Sequence, residues 1–264
     1  MKRIIIIIEA LILCALVIAV ITVVIPKLHT LRTEADLATE PPPKEAVTLE
    51  FEHDPFTEYR IDGISSSQMF TYFTELANNA EYSSGGQVHQ LIQKWQEPIT
   101  YKIYGAPTEK DMEILLAFFD ELNAIHYFPG IYEVADGEDE KLSIYFIDKN
   151  LFDITFGDVV NNEDCDGAAE YWFYTDTCEI YQGRVGYVTE TSQNIRNSVL
   201  IEEIVNVLGL SDTYMREDSI VYQYSSDVYE PSDIDWIIIK ALYHPLIKAG
   251  MTAEECKSTP IFDY

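Results

Sequence analysis

Apolar residues follow three patterns along this chain, and each predicts a different element. Ile4 to Ile25 is a continuous run, interrupted by one charge at Glu9 and closed by Pro26. It is about as long as the ~20 residues a helix needs to cross a bilayer. Helical spacing follows further on. Met69, Phe70, Phe73, Leu76 and Ala77 stand behind the capping candidates Ser65-Ser66-Ser67. Met112, Leu115, Leu116, Phe119 and Leu122 stand behind Pro107-Thr108, and Asn194 to Leu208 reads as a helix stopped by Gly209. A shorter helix is expected through Val88, Leu91 and Ile92, after the polar turn Ser83-Ser84-Gly85-Gly86. Ser232 opens the last long helix, with Asp235 three residues later as its capping-box partner. The third pattern alternates and is rich in β-branched and aromatic residues. It predicts strands over Trp95–Tyr104, Leu142–Ile147, Glu170–Tyr174 and Glu179–Thr189, the last two as a pair with Gly183 and Gly186 at bulges or turns.

These elements define three regions. Residues 1–26 read as a cytoplasmic tip and transmembrane anchor. Residues 27–47, with Glu40-Pro41-Pro42-Pro43-Lys44, read as a stiff linker. Residues 48–264 read as one mixed α/β (α+β) domain. A cleaved signal peptide is the rival reading of the first segment, but the run is long for one and no small-x-small cleavage site follows it. Leu13 before Cys14 speaks against lipidation. Lys2, Arg3 and the amino terminus slightly outweigh Lys27 and Arg32, which favours the amino terminus in the cytoplasm. The expected location is therefore the cell membrane, single-pass, with the C-terminal domain on the extracytoplasmic side.

Charge narrows the partners. The chain carries 45 Asp plus Glu against 17 Lys plus Arg, a formal net charge of -28. Nucleic acid is excluded on this count, because phosphate binding needs a cationic surface. Neutral, basic or metallic partners remain. Cys165 and Cys178 flank the expected hairpin and are candidates for a disulfide in an oxidising compartment, which would leave Cys256 over; three thiols is the alternative. None of His29, His53, His89, His126 and His244 is spaced from another as metal ligands are. No phosphate loop, dinucleotide fingerprint or nucleophile elbow occurs.

The densest chemistry lies in Glu202-Glu203-Ile204-Val205-Asn206-Val207-Leu208-Gly209-Leu210-Ser211-Asp212. On a helix, Ile201, Ile204, Val205 and Leu208 form one face, while Glu202 and Asn206 sit one turn apart on another with Glu203 beside them. Gly209 lets the chain turn so that Asp212 approaches that polar face.

This layout resembles the metzincin zinc peptidases, with their His-Glu-x-x-His-x-x-Gly-x-x-His pattern. The resemblance implies a zincin-like domain with a mixed twisted sheet and an active-site-type helix, preceded by an edge strand. Glu203 takes the general-base position. The three ligand positions hold Glu202, Asn206 and Asp212, and Val221 replaces the methionine of the turn beneath the metal. Oxygen donors make zinc a poor candidate and suit calcium or magnesium better; the bland alternative is the solvated face of an amphipathic helix. More of the chain is similar to a bacterial family known as domain of unknown function 2927, often described as lipoproteins. Glu202, Glu203, Leu208, Gly209, Leu210, Ser219, Ile220, Leu242, Tyr243, Pro245, Leu246, Gly250, Met251 and Thr252 carry that resemblance, and Asn206 stands where the family has Gln.

The expected function is a membrane-anchored envelope module, metzincin-like but without zinc ligands, that binds or scaffolds a protein or peptide. The competing expectation is a metal-dependent hydrolase with an oxygen-ligand centre and Glu203 as base.

Overall fold

The computed structural model describes residues 56–78, 91–135, 137–159 and 165–264. All of them belong to one compact unit, His53–Tyr264. The apolar run Ile4–Ile25, the linker 27–47 and Val88 lie outside the described residues. Among the described residues no helix is long and apolar enough to cross a membrane.

After a 3-10 turn at Thr57–Tyr59, the elements are α1 (Ser66–Asn78), β1 (Lys94–Trp95), β2 (Ile99–Gly105), α2 (Glu109–Asn123), β3 (Ile131–Glu133), β4 (Leu142–Ile147), α3 (Lys149–Phe156), β5 (Gly167–Phe173), β6 (Glu179–Val188), α4 (Gln193–Val207), α5 (Asp233–Tyr243) and α6 (Ala253–Lys257). The strands form one six-stranded sheet in the order β1-β6-β4-β2-β3, with β5 also paired to β6. Every pairing is parallel except β5 with β6. This is the mixed α/β sheet that alternating strands and helices predict.

Side-chain alternation builds the layers. Along β4, Leu142, Ile144 and Phe146 are fully buried in the main core, while Tyr145 and Ile147 point to the other face. There they meet Phe152 and Phe156 of α3, with Ala168 and Val188, in a second small core. Helix α4 packs on β5 and β6, with α2 beside it.

Three expectations need correction. The strand expected over Trp95–Tyr104 is two strands, because Pro98 between them has no N–H to give to a ladder. Leu91 and Ile92 are not helical: Ile92 exchanges backbone bonds with Met251 and Gly250, and Leu91 bridges Thr252. Gly183 and Gly186 are neither bulges nor turns but regular members of β6. A Cβ on Gly183 would come within 2.6 Å of Val207, and one on Gly186 within 2.3 Å of Phe156, so each glycine admits a helix side chain against the sheet. The bulge lies at Trp172/Phe173 instead.

The disulfide candidate fails on topology. Cys165 lies beyond the base of the β5–β6 hairpin, where Gly167 pairs Tyr187, and Cys178 lies at its tip, beyond Phe173 paired with Ile180. The length of β5 separates them by roughly 25 Å at ~3.3 Å per residue, far beyond the ~7 Å Cα limit for a bridge. Cys178 and Cys256 are buried thiols.

One buried ion pair fixes the entry to α4. Asp111, third residue of α2, closes a capping box with Thr108 and accepts from Arg196 Nε at 2.8 Å and Gln193 Nε2 at 2.8 Å. Arg196 donates further to the carbonyls of Thr189 and Thr191. Burial alone would raise the Asp111 carboxyl, but the bonds from Arg196, the Thr108 N–H and Gln193 outweigh it and hold it below its usual value. Asp111→Ala leaves the guanidinium buried without its carboxylate. The expected loss is about 3–5 kcal/mol, read as a lower midpoint in denaturant unfolding.

Candidate functional site

Helix α4 is buried on nearly all sides, and its end is held from outside. The carbonyl of Val207 accepts from Trp95 Nε1 at 2.9 Å and that of Leu208 from the Tyr243 hydroxyl at 3.0 Å. Both are C-terminal carbonyls that have no partner within the helix. Gly209 follows at φ +104°, and a Cβ there would stand 2.2 Å from the carbonyl oxygen of Gln93. Ser211 then donates its N–H and hydroxyl to the carbonyl of Leu76, both at 2.8 Å.

This turn delivers Asp212 to the helix. Asn206 Nδ2 donates to Asp212 Oδ1 at 3.0 Å. Glu202 lies near enough for the Asp212 charge to act on it: burial first, and Asp212 second, push its carboxyl well above the usual value of 4.5. Glu202, Asn206 and Asp212 therefore converge, as their spacing predicts. Glu203 turns elsewhere. It is buried, and its Oε1 comes within 2.8 Å of where a Cβ on Gly167 of β5 would sit. Helix α4 packs against β5, β6 and α2, and Glu202 and Asn206 on its polar face are partly exposed.

Beyond Asp212 the chain is pinned twice. Buried Glu75 accepts from the Thr213 hydroxyl at 2.7 Å and the Tyr214 N–H at 2.8 Å. Buried Asp235 accepts from Arg216 Nη2, the Ser219 hydroxyl, the Ile220 N–H, and the N–H and hydroxyl of Ser232.

A family model described as protein of unknown function (DUF2927) matches residues 66–259. The chain belongs to this family. No curated protein matches it.

The residues that carry the family resemblance now have visible tasks, and most are structural. Tyr243 caps α4, Gly209 makes the turn, Ser219 binds Asp235, Met251 pairs with Ile92, and Thr252 caps α6. Glu203 packs against Gly167 of β5, and Glu202 lies beside Asp212.

The oxygen donors set the chemistry. Two carboxylates and one amide include none of the imidazole or thiolate donors that hold zinc, so zinc does not fit. A hard cation accepts such oxygens but takes 6–8 of them. Among the described residues no group of three or more His, Cys, Asp or Glu stands placed to hold a metal. The Oδ1 of Asn206 is buried without a hydrogen-bond partner among the described residues.

Other polar side chains around this frame escaped the sequence reading. Tyr171 donates to Gln93 Oε1 at 2.8 Å. Lys94 donates to the carbonyls of Leu242 and Ile247, and burial pulls its ammonium down to about 8. Only Glu75 left a local trace, a carboxylate set directly before the apolar pair Leu76-Ala77.

Two outcomes are expected here. Gly209→Ala loses the ~1–2 kcal/mol of left-handed strain plus the clash with Gln93. Gly63→Ala, at φ +86° with nothing within 4 Å of the new Cβ, loses the strain alone. Equal losses in denaturant unfolding would show that the Gln93 contact does not matter. Glu202→Gln tests the acid pair. Because the folded state holds this proton above the unfolded value, wild-type stability falls as pH rises from 4.5 through the raised value. The variant should therefore melt close to wild type at pH 4.5 and increasingly above it towards pH 8.

Proposed function

We propose that this chain is a membrane-anchored, extracytoplasmic binding module on a metzincin-like scaffold that has lost its zinc ligands. The observation that carries the reading is the closed state of the old ligand positions. Asn206 donates to Asp212, and Glu202 favours its protonated form beside them. A proton and an amide then do what a cation does elsewhere. The scaffold reading draws support from the order of elements, with antiparallel β5 immediately before β6 and α4, and from the turn at Gly209.

Binding is assigned to β5. Among the described residues it pairs only with β6, so its outer edge offers backbone N–H and C=O groups to an extended peptide. The anchor is supported by the apolar run Ile4–Ile25.

A second reading, a metal-dependent hydrolase with Glu203 as base, is favoured by one observation: Glu202, Asn206 and Asp212 converge, and Asn206 keeps a spare buried oxygen. Metal content separates the two. The purified chain is loaded with calcium, magnesium and zinc, then dialysed and measured by mass spectrometry. The binding-module reading expects no retained ion. About one ion per chain, lost on Glu202→Ala or Asp212→Ala, would sink it and support the hydrolase.

A further inference from the structure

A shallow groove is lined by no residue of β5 and by none of Glu202, Asn206 and Asp212. It is bounded by α2, α4, α5 and the segment before α5. Phe118, Ile201 and Trp236 line it, the first two buried, with the Phe118 and Trp236 rings 5.6 Å apart. Tyr229 and Pro231 line it as well. Its volume is about 210 Å³, below the ~300–1,000 Å³ of pockets that enclose a whole small molecule. It has room for a single side chain of a larger partner.

Two carboxylates also line it, Glu121 on α2 and Glu230 on the segment before α5. Both are exposed. Elsewhere on α2, Glu113 pairs with Lys110 and Asp111 with Arg196. Among the described residues neither Glu121 nor Glu230 has a basic partner. An apolar, aromatic groove lined by two carboxylates without a basic partner complements one chemistry: a cation on an aliphatic stem.

We propose that this groove binds a basic peptide by one arginine or lysine. The stem lies on Phe118 and Trp236, and the charged head stands between Glu121 and Glu230. Long cationic side chains bury their methylenes while keeping the charge at the rim, and a cation over an aromatic face is attracted to it. The strong negative charge of the chain speeds the encounter with such a partner.

The test is calorimetric titration of the full chain with acetyl-Leu-Arg-Leu-Arg-amide, and with the same peptide carrying Glu for Arg. Saturable binding of the basic peptide is expected, with none of the acidic one. Glu121→Gln with Glu230→Gln should weaken it at least tenfold. Asp158→Asn with Asp176→Asn removes the same charge near α3 and the hairpin tip, and should change it less than twofold. Equal weakening by the two pairs would reduce the effect to net charge and overturn the site. So would a smaller loss from the glutamate pair, binding of the acidic peptide, or no saturable binding. The β5 reading stands or falls separately, since none of these substitutions touches that strand.

Discussion

The tertiary structure hangs on the turn that ends α4. Three segments distant in sequence attach to its backbone: β1 through Trp95 and the Gln93 carbonyl just before it, α5 through Tyr243, and α1 through the carbonyl of Leu76. The bonds from Trp95 and Tyr243 go to carbonyls that any helix of this length leaves over. The turn therefore needs only a residue free to take φ +104° with no side chain in the way of Gln93. Once it forms, only Leu210 and Ser211 separate Gly209 from Asp212, which is brought beside Asn206 and bonded to it.

The segment from Asp212 to α5 has almost no regular structure, which is unusual for so long a connection. It is ordered by buried carboxylates. Glu75 holds its start, and Asp235 holds its middle and end while also capping α5. Asp235 shows how a local signal acquires a distant role: Ser232 and Asp235 form a capping box by themselves, and Arg216, Ser219 and Ile220 then use the remaining acceptor capacity of the same carboxylate. Each bond to a charged acceptor is worth about 1.5–3 kcal/mol. The network can thus stand in for the apolar packing that a loop lacks.

What was legible in the sequence depended on how local its cause is. Ser65, Thr108 and Ser232 mark helix starts because a cap bonds to a backbone three residues on. Leu142–Ile147 alternates because one strand face meets the core. The spacing of Glu202, Asn206 and Asp212 was enough to bring them together, since one helix and one glycine turn set their geometry. Errors arose where the cause lies across the fold. Gly183 and Gly186 look like turn residues until Val207 and Phe156 are seen above them. Leu91 and Ile92 look helical until Met251 and Thr252 claim their backbone. Helix α3 was missed because it is short, with only Asp148 to announce it. Cys165 and Cys178 flank a hairpin, but flanking in sequence put one at each end of it.

The acid cluster is shaped by two unfavourable effects. Holding Glu202 charged next to Asp212 in a partly buried place is unfavourable twice, through lost hydration and through like-charge repulsion. Asn206 already satisfies one oxygen of Asp212 and leaves its own Oδ1 without a donor among the described residues. Lost hydration and repulsion both raise the Glu202 carboxyl above its usual value. On the proposed reading the cluster closes on itself. On that reading, recognition then belongs to groups with unsatisfied valence: the backbone edge of β5, and the two carboxylates that line the groove with Phe118 and Trp236.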